Sequence, residues 1–231
     1  MWRKSSFALL GVAAIAVAGC DNVNGDVTAT ASGAGTVNGS IRVPAGQHSG
    51  ALGTVNGSIH IDEGATVGPA RTVNGEIDVG AHATADSLTT VNGEVTLGAG
   101  AHVSHEITTV NGALSLESGA DVGGALKNVN GHITLTAAHV AGGLHTVGGD
   151  IDVSGDSRVE GGILVEQPNT GWFHWSSGSS HKPRIVIGPG AVVRGDLRFE
   201  REVELYVSDR ASVGPISGAT AIRFSGERPT G

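Results

Sequence analysis

The stretch Thr36-Val37-Asn38-Gly39-Ser40-Ile41 organises this sequence, because it recurs at nearly constant intervals. Six later copies, the last altered to Thr-Val-Gly-Gly-Asp-Ile, occupy residues 54–59, 72–77, 90–95, 109–114, 128–133 and 146–151. Successive copies begin 18 or 19 residues apart, and residues 22–27 look like a shortened earlier copy. A fixed period of this length is typical of a solenoid in which each period forms one coil.

Apolar residues alternate with polar or small ones inside each period. In one copy the apolar positions are Val91, Val95, Leu97, Val103 and Ile107. This alternation predicts short strands separated by turns, and the segments are too short for helices. A unit of this size buries its apolar side only when the next unit stacks on it. The sequence therefore predicts an all-β fold, a single-stranded parallel β-helix of about 18 residues per coil and about 45 Å in length.

The Asn-Gly pairs predict one corner of every coil, because asparagine followed by glycine tolerates left-handed backbone angles at low cost. Stacking the coils places these asparagines above one another, where their side-chain amides are expected to hydrogen-bond along the rod. The predicted ladder contains Asn38, Asn56, Asn74, Asn92, Asn111 and Asn130. Gly148 replaces the asparagine of the next copy and is expected to end the ladder.

The first twenty residues have the pattern of an export signal. Arg3 and Lys4 precede an apolar run over residues 7–17, and the sequence Val17-Ala18-Gly19-Cys20 resembles a bacterial lipobox. This resemblance implies cleavage before Cys20 and acylation of that cysteine. Each buried CH₂ of an acyl chain contributes about 0.8 kcal/mol, so two or three chains hold a protein on a membrane. We expect a lipid-anchored protein of the bacterial envelope that faces the periplasm, on either the inner or the outer membrane.

Composition and charge exclude several classes of function. Glycine accounts for 38 of 231 residues and only 8 residues are aromatic, which argues against a globular enzyme core of large side chains. A single cysteine excludes an intramolecular disulfide and a multi-cysteine metal site. Residues 21–181 contain 4 basic and 16 acidic residues, so nucleic acid is not expected as a partner. Residues 182–231 contain 8 basic and 6 acidic residues, a difference that could favour head-to-tail contact between copies.

The sequence predicts the following organisation along the chain. Residues 1–19 form the lipoprotein signal peptide, and residues 20–35 hold the acylated cysteine with a tether or degenerate first coil. Regular β-helix repeats occupy residues 36–166, an aromatic insertion loop residues 167–184, degenerate C-terminal coils residues 185–224, and a tail residues 225–231.

The insertion loop carries an unusual density of aromatic residues. Trp172, Phe173 and Trp175 are three of the six aromatic residues that follow the signal peptide. Exposed aromatics at this density bind sugars, membrane interfaces or protein partners. The alternative is that the loop folds against the rod and covers an apolar seam.

Polar residues offer no clear catalytic or metal centre. The position after Gly-Ala or Ala-Ala is predicted to form a column of His82, His102, Asp121 and His139, which could share a metal ion. The same position also holds Thr66, Arg158, Val192 and Ser212, as an exposed and variable turn would. We therefore expect no metal and no other cofactor. Carboxylates such as Glu76, Asp78 and Glu94 are expected to be solvated, and we predict no catalytic residue.

The repeats, such as Thr-Val-Asn-Gly-Glu-Ile and Gly-Ala-Asp-Val-Gly-Gly-Ala-Leu, resemble those of the bactofilins over residues 36–217. Bactofilins are polymer-forming bacterial cytoskeletal proteins, and the resemblance implies a right-handed parallel β-helix that polymerises through its coil ends. The enzymatic alternative is a left-handed β-helix of the hexapeptide acyltransferase type, because Val91, Leu97 and Val103 are six residues apart. The sequence alone leaves the handedness open.

Two hypotheses of function follow from these observations. The first is a non-enzymatic envelope lipoprotein that acts as a rigid β-helical scaffold or as a self-assembling structural element. The second is a binding module that recognises envelope polysaccharide or a partner protein through Trp172, Phe173 and Trp175.

Overall fold

The computed structural model describes residues 22–168 and 182–229, which form one parallel β-solenoid with three sheets. Sheet A consists of Asn22–Asn24, Gly33–Asn38, Ala51–Gly53, Ala70–Arg71, Leu88–Asn92, Ile107–Asn111, Leu126–Asn130, Leu144–Thr146, Ile163–Val165, Leu197–Phe199 and Ile216–Ser217. Sheet B consists of Val27–Thr28, Ile41–Val43, Ile59–Ile61, Ile77–Val79, Val95–Leu97, Leu114–Leu116, His132–Thr136, Asp150–Ser154, Arg184–Ile187, Glu204–Ser208 and Ala221–Phe224. Sheet C consists of His48–Ser49, Thr66–Val67, Thr84–Ala85, His102–Val103, Asp121–Val122, His139–Val140, Arg158–Val159, Val192–Val193 and Ser212–Val213.

Equivalent residues of successive coils are direct neighbours in every sheet. Ile59, for example, pairs with Ile41 of the coil before and with Ile77 of the coil after. This register follows from the repeat, because a shift by one residue would turn the apolar side chains out to solvent. The predicted all-β parallel solenoid of about 18 residues per coil is confirmed.

The core is a set of vertical columns of aliphatic side chains. One buried column of sheet B contains Ile41, Ile59, Ile77, Val95, Leu114, Ile133, Ile151, Ile185 and Leu205. Alanines fill the tight corner before sheet C, at Ala65, Ala83, Ala101, Ala120, Ala138 and Ala191. Burying each Val, Leu or Ile contributes about 1.5 to 3 kcal/mol, so a narrow core of medium-sized side chains suffices.

One column inside the solenoid is polar, and Val91, one of the apolar residues of the repeat, does not belong to the core. Thr90 is fully buried, whereas Val91 lies on the outer side and is half-buried. The Oγ1 hydroxyl of Thr90 donates to the carbonyl oxygen of Gly75, one coil earlier, at 3.0 Å. The other members of this buried column are Thr36, Thr54, Thr72, Thr109, Asn128 and Thr146. A buried hydroxyl is tolerated here because the neighbouring coil accepts its hydrogen bond.

The stack continues across the insertion. Arg184–Ile187 pairs with Asp150–Ser154, so sheet B shows no gap between the regular and the degenerate coils. In the described residues, no helix is long and apolar enough to cross a membrane. The signal peptide with Cys20, and the aromatic residues Trp172, Phe173 and Trp175, lie outside the described residues.

The last described coil has a charged residue at an inward position. Arg223 pairs with Val207 and so takes the inward position that Val153, Ile187 and Val207 hold in the three preceding coils. Arg223 is exposed, and its Nη1 is 3.4 Å from the carbonyl oxygen of Ser208, to which it donates. A charged residue at an inward position of a terminal strand is one of the ways in which proteins protect a sheet edge.

Candidate functional site

The asparagine ladder is the most regular feature of the outer surface. In each rung the Nδ2 amide of one asparagine donates to Oδ1 of the asparagine one coil earlier, at 2.9 to 3.1 Å. The structure brings together Asn38, Asn56, Asn74, Asn92, Asn111 and Asn130, and it adds Asn24 as a first member. Since the amides bind one another, the ladder ties coils together and is not a ligand site.

The glycine after each asparagine is required by close contact between coils. A Cβ atom on Gly75 would lie 2.0 Å from the carbonyl oxygen of Gly57, and one on Gly93 would lie 1.9 Å from that of Gly75. Gly57, Gly75 and Gly93 do not have left-handed φ angles, so the sequence argument from backbone angles does not hold for them. Glycine was predicted correctly at these positions, but the reason is the close approach of the neighbouring coil and not the backbone angle.

The predicted histidine column has a different membership in the structure. His102 pairs with Thr84 on one side and with Asp121 on the other, and Asp121 pairs with His139. His82 is not in this column. It lies two residues before Thr84, in a turn with φ +56°, next to Gly100. His82 therefore occupies the turn position that glycine takes in neighbouring coils, and its inclusion in the column was wrong.

Asp121 is the centre of a charged row on sheet C. His102 Nδ1 is 2.8 Å from Asp121 Oδ2, and His139 Nδ1 is 2.5 Å from Asp121 Oδ1. His139 is also near Glu160, which lies two residues after its register partner Arg158. Oε1 of Glu160 is 3.8 Å from His139 Nε2, and its Oε2 is 2.6 Å from Arg194 Nη1. Burial raises the pKa of Asp121, but the hydrogen bonds with His139 and His102 outweigh burial and hold it below its usual value of 3.8.

Further pairs of a basic and an acidic side chain also connect neighbouring coils. They are Arg42 with Asp62, His105 with Asp86, Lys127 with Glu106, His132 with Asp150, and Lys182 with Glu202. All of these pairs are at least partly exposed, so each contributes about 1 kcal/mol or less. Their shared effect is to link coils along the rod.

Three titratable groups are perturbed mainly by burial. Burial and then the charge of Lys127 lower the pKa of His145. Burial raises the pKa of Asp152 despite the nearby Arg228 and Arg184, and burial together with Glu200 raises the pKa of Glu166. His145 lies on sheet A and Asp152 on sheet B, so these two groups belong to different sheets.

A shallow depression of about 400 Å³ lies between sheets A and C. It is lined by Ser87, Ser104, His105, Glu106, Gly123, Gly124 and Ala125. Nδ1 of His105 is 2.8 Å from Oδ1 of Asp86, an arrangement that orients a histidine in hydrolases. Within the described part of the chain, no hydrogen bond joins His105 to the hydroxyl of Ser87 or Ser104.

The remaining predicted sites are the metal column, the lipidation residue and the aromatic residues of the insertion loop. Within residues 22–168 and 182–229, no group of three or more His, Cys, Asp or Glu residues is arranged to hold a metal ion. The predicted lipidation residue Cys20 and the predicted binding residues Trp172, Phe173 and Trp175 lie outside the described residues. Comparisons with models of protein families, with curated proteins and with solved structures found no match.

Proposed function

We propose that this protein is a non-enzymatic lipoprotein of the bacterial envelope that acts as a rigid β-helical scaffold and assembles with further copies. One observation carries the proposal: the coils form a continuous stack joined by two sheets of eleven strands and a third sheet of nine strands. Eleven strands in sheet A correspond to about 48 Å of rod.

Several independent contacts support a rigid rod. The asparagine ladder joins seven successive coils on the outside, and the buried threonines donate to the preceding coil on the inside. Ion pairs on sheets B and C connect the same coils at other points of the circumference. Bending the rod would break several of these contacts at once.

The lipobox resemblance supplies the anchor in this proposal. Cys20 lies two residues before Asn22, where the first strand begins. An acylated Cys20 would hold the first coil next to the membrane, and the rod would extend from there into the periplasm. The resemblance of the repeats to bactofilins supports a structural role, and it is the basis for including assembly in the proposal.

Membrane fractionation tests the anchor. We expect the full-length chain to be found with membranes, and the Cys20→Ser variant to be neither cleaved nor acylated. Mass spectrometry of the amino-terminal peptide measures the acyl chains directly. An unmodified cysteine in membrane-bound protein would contradict the anchor.

Small-angle scattering of residues 21–231 tests the scaffold, since this fragment contains every described strand and core residue. We expect the scattering profile of a rod, with a longest dimension of about 50 Å or more. The profile of a compact sphere would contradict the proposal.

A further inference from the structure

A row of valines runs along the outside of the rod. The valine ridge consists of Val37, Val55, Val73, Val91, Val110, Val129 and Val147, one from each of seven successive coils. Every member is half-buried. The ridge lies between the buried threonine column and the exposed asparagine ladder, because Thr90 pairs with Thr109 and Asn92 with Asn111 on either side of Val91.

Folding alone does not require valine at these seven positions. The outward column of sheet B over the same coils contains Arg42, His60, Asp78, Thr96, Ser115, Thr134 and Asp152. Solvent tolerates any of these residues, so that column varies from coil to coil. Threonine would keep the β-branched shape that strands favour, yet the ridge contains valine throughout. Apolar patches of several hundred Å² at a protein surface often mark contact sites for other molecules, and the ridge is a continuous apolar row.

We propose that the valine ridge is the lateral interface between two copies of this chain, packed side by side. The spacing of the ridge identifies the partner, because its side chains repeat every 4.8 Å or so over seven coils. A second copy offers the same side chains at the same spacing. Stacked identical side chains of this kind interdigitate to form dry interfaces between sheets. Side-by-side pairing through the ridge rests on the proposed assembly of copies, and it does not require growth at the coil ends.

The charges beside the ridge determine the orientation of the two copies. Arg71 lies two residues before Val73 and Glu76 three residues after it, and both are exposed. They therefore lie on opposite sides of the ridge at the same level of the rod. A two-fold axis parallel to the rod brings Arg71 of one copy opposite Glu76 of the other. An antiparallel pair would bring the basic side opposite the basic side. Charge complementarity thus favours parallel copies, with both amino termini at one end.

The size of the ridge indicates a weak dimer in dilute solution. Seven coils cover about 29 Å, and the ridge with its asparagine border is about 15 Å wide, so each copy buries on the order of 400 Å². A stable complex buries about 800 Å² per partner. Anchoring both copies at the same end on one membrane would raise their effective concentration and strengthen the pairing.

Single-cysteine crosslinking tests the interface, and residues 21–231 contain no other cysteine. We expect Val37→Cys and Val147→Cys each to form a disulfide-linked homodimer under mild oxidation. Val186→Cys is the matched control, since Val186 is half-buried on the outer side of sheet B, away from the ridge. Absence of both homodimers, and of any disulfide-linked dimer between Val37→Cys and Val147→Cys when the two variants are mixed, overturns the interface. Dimers that form only between Val37→Cys and Val147→Cys overturn the parallel orientation.

A second set of variants separates the interface from the fold. In the Val37→Cys background, the triple variant Val73→Thr, Val91→Thr, Val110→Thr should reduce the yield of crosslinked dimer at least tenfold, with an unchanged melting temperature. The matched variant Val186→Thr, Val192→Thr should leave the yield unchanged.

The charge pair is tested in the same Val37→Cys background. Arg71→Glu alone should lower the yield of crosslinked dimer, and Arg71→Glu with Glu76→Arg should restore it. A yield that these ridge variants do not change overturns the proposal. The rod profile in scattering is measured separately, so failure here is distinguishable from failure of the scaffold.

Discussion

Single residues on the outer surface act mainly by joining one coil to the next, and Asp121 is the clearest case. It binds His102 and His139, which belong to the coils on either side. The pKa of Asp121 is below that of the unfolded chain, because these hydrogen bonds outweigh the effect of burial. A carboxyl group with a lowered pKa stabilises the fold above its unfolded pKa, and this contribution is lost as pH falls through its folded pKa.

We therefore expect Asp121→Asn to lower the free energy of unfolding at pH 6, by about 1 kcal/mol or less because the side chain is partly exposed. The difference from the unmodified chain should shrink as pH falls below about 4. Urea unfolding followed by circular dichroism between pH 3 and pH 7 measures both effects. Asp78→Asn is the matched control, since Asp78 Oδ2 is 3.9 Å from His60 Nδ1 and interacts less closely. Equal effects of the two variants would contradict the specific role of Asp121.

The asparagine ladder gives a second prediction for a single side chain. Asn74 donates to Asn56 and accepts from Asn92, both at 2.9 Å. Asn74→Ala removes both hydrogen bonds, and we expect a loss of about 1 to 2 kcal/mol in the free energy of unfolding. Asn130→Ala removes the single rung to Asn111, so its effect on the urea midpoint should be about half as large. A larger effect at Asn130 would show that the amides do not act as equal rungs.

The corner between sheets A and B shows what sequence analysis found and missed in each coil. The repeated Asn-Gly pair correctly located this corner. The buried threonine was missed. Counting back in steps of two from Leu97 places Val91 inside, which is wrong because the corner interrupts the alternation. Counting forward from Leu88, which is buried, places Thr90 inside and Val91 outside. The outward position of the ridge valines could therefore be predicted from the sequence, provided that the alternation is counted separately within each strand.

At the same corner we predict a large effect of adding one methyl group. Gly75→Ala would place a Cβ 2.0 Å from the carbonyl oxygen of Gly57, so the coils must move apart. We expect a loss of about 3 kcal/mol in the free energy of unfolding, at the upper end for overpacking. Gly64→Ala is the control, because Gly64 has φ +66° but a Cβ added there would meet no atom within 4 Å, and this change should cost about 1 kcal/mol. Urea unfolding compares the two, and a greater loss at Gly64 would contradict the role of close approach.

At the scale of the whole molecule, the constant period predicts the rod better than local motifs do. Adding 18 to Thr66 gives Thr84, which is the residue that pairs with it, whereas the local Gly-Ala match selected His82. The period did not predict the inward charge at Arg223, because this residue occurs in only one degenerate coil. Only the register assigns Arg223 to the inward column.

The inward position of Arg223 leads to a prediction about assembly at the carboxyl-terminal end of the rod. A guanidinium over the last layer of the core must be desolvated when another coil packs on it, so we expect it to oppose end-to-end stacking. Arg223→Val replaces this charge by the residue type found at the same position of the previous coil, Val207. We expect this variant of residues 21–231 to form chains longer than a dimer, with a mass that increases with concentration in sedimentation velocity. Arg198→Val is the matched control, because it removes the same charge from an exposed outward position of sheet A. If both variants associate equally, the loss of an arginine and the added apolar surface are enough to cause association at either position. Arg223 is then not a specific barrier to stacking.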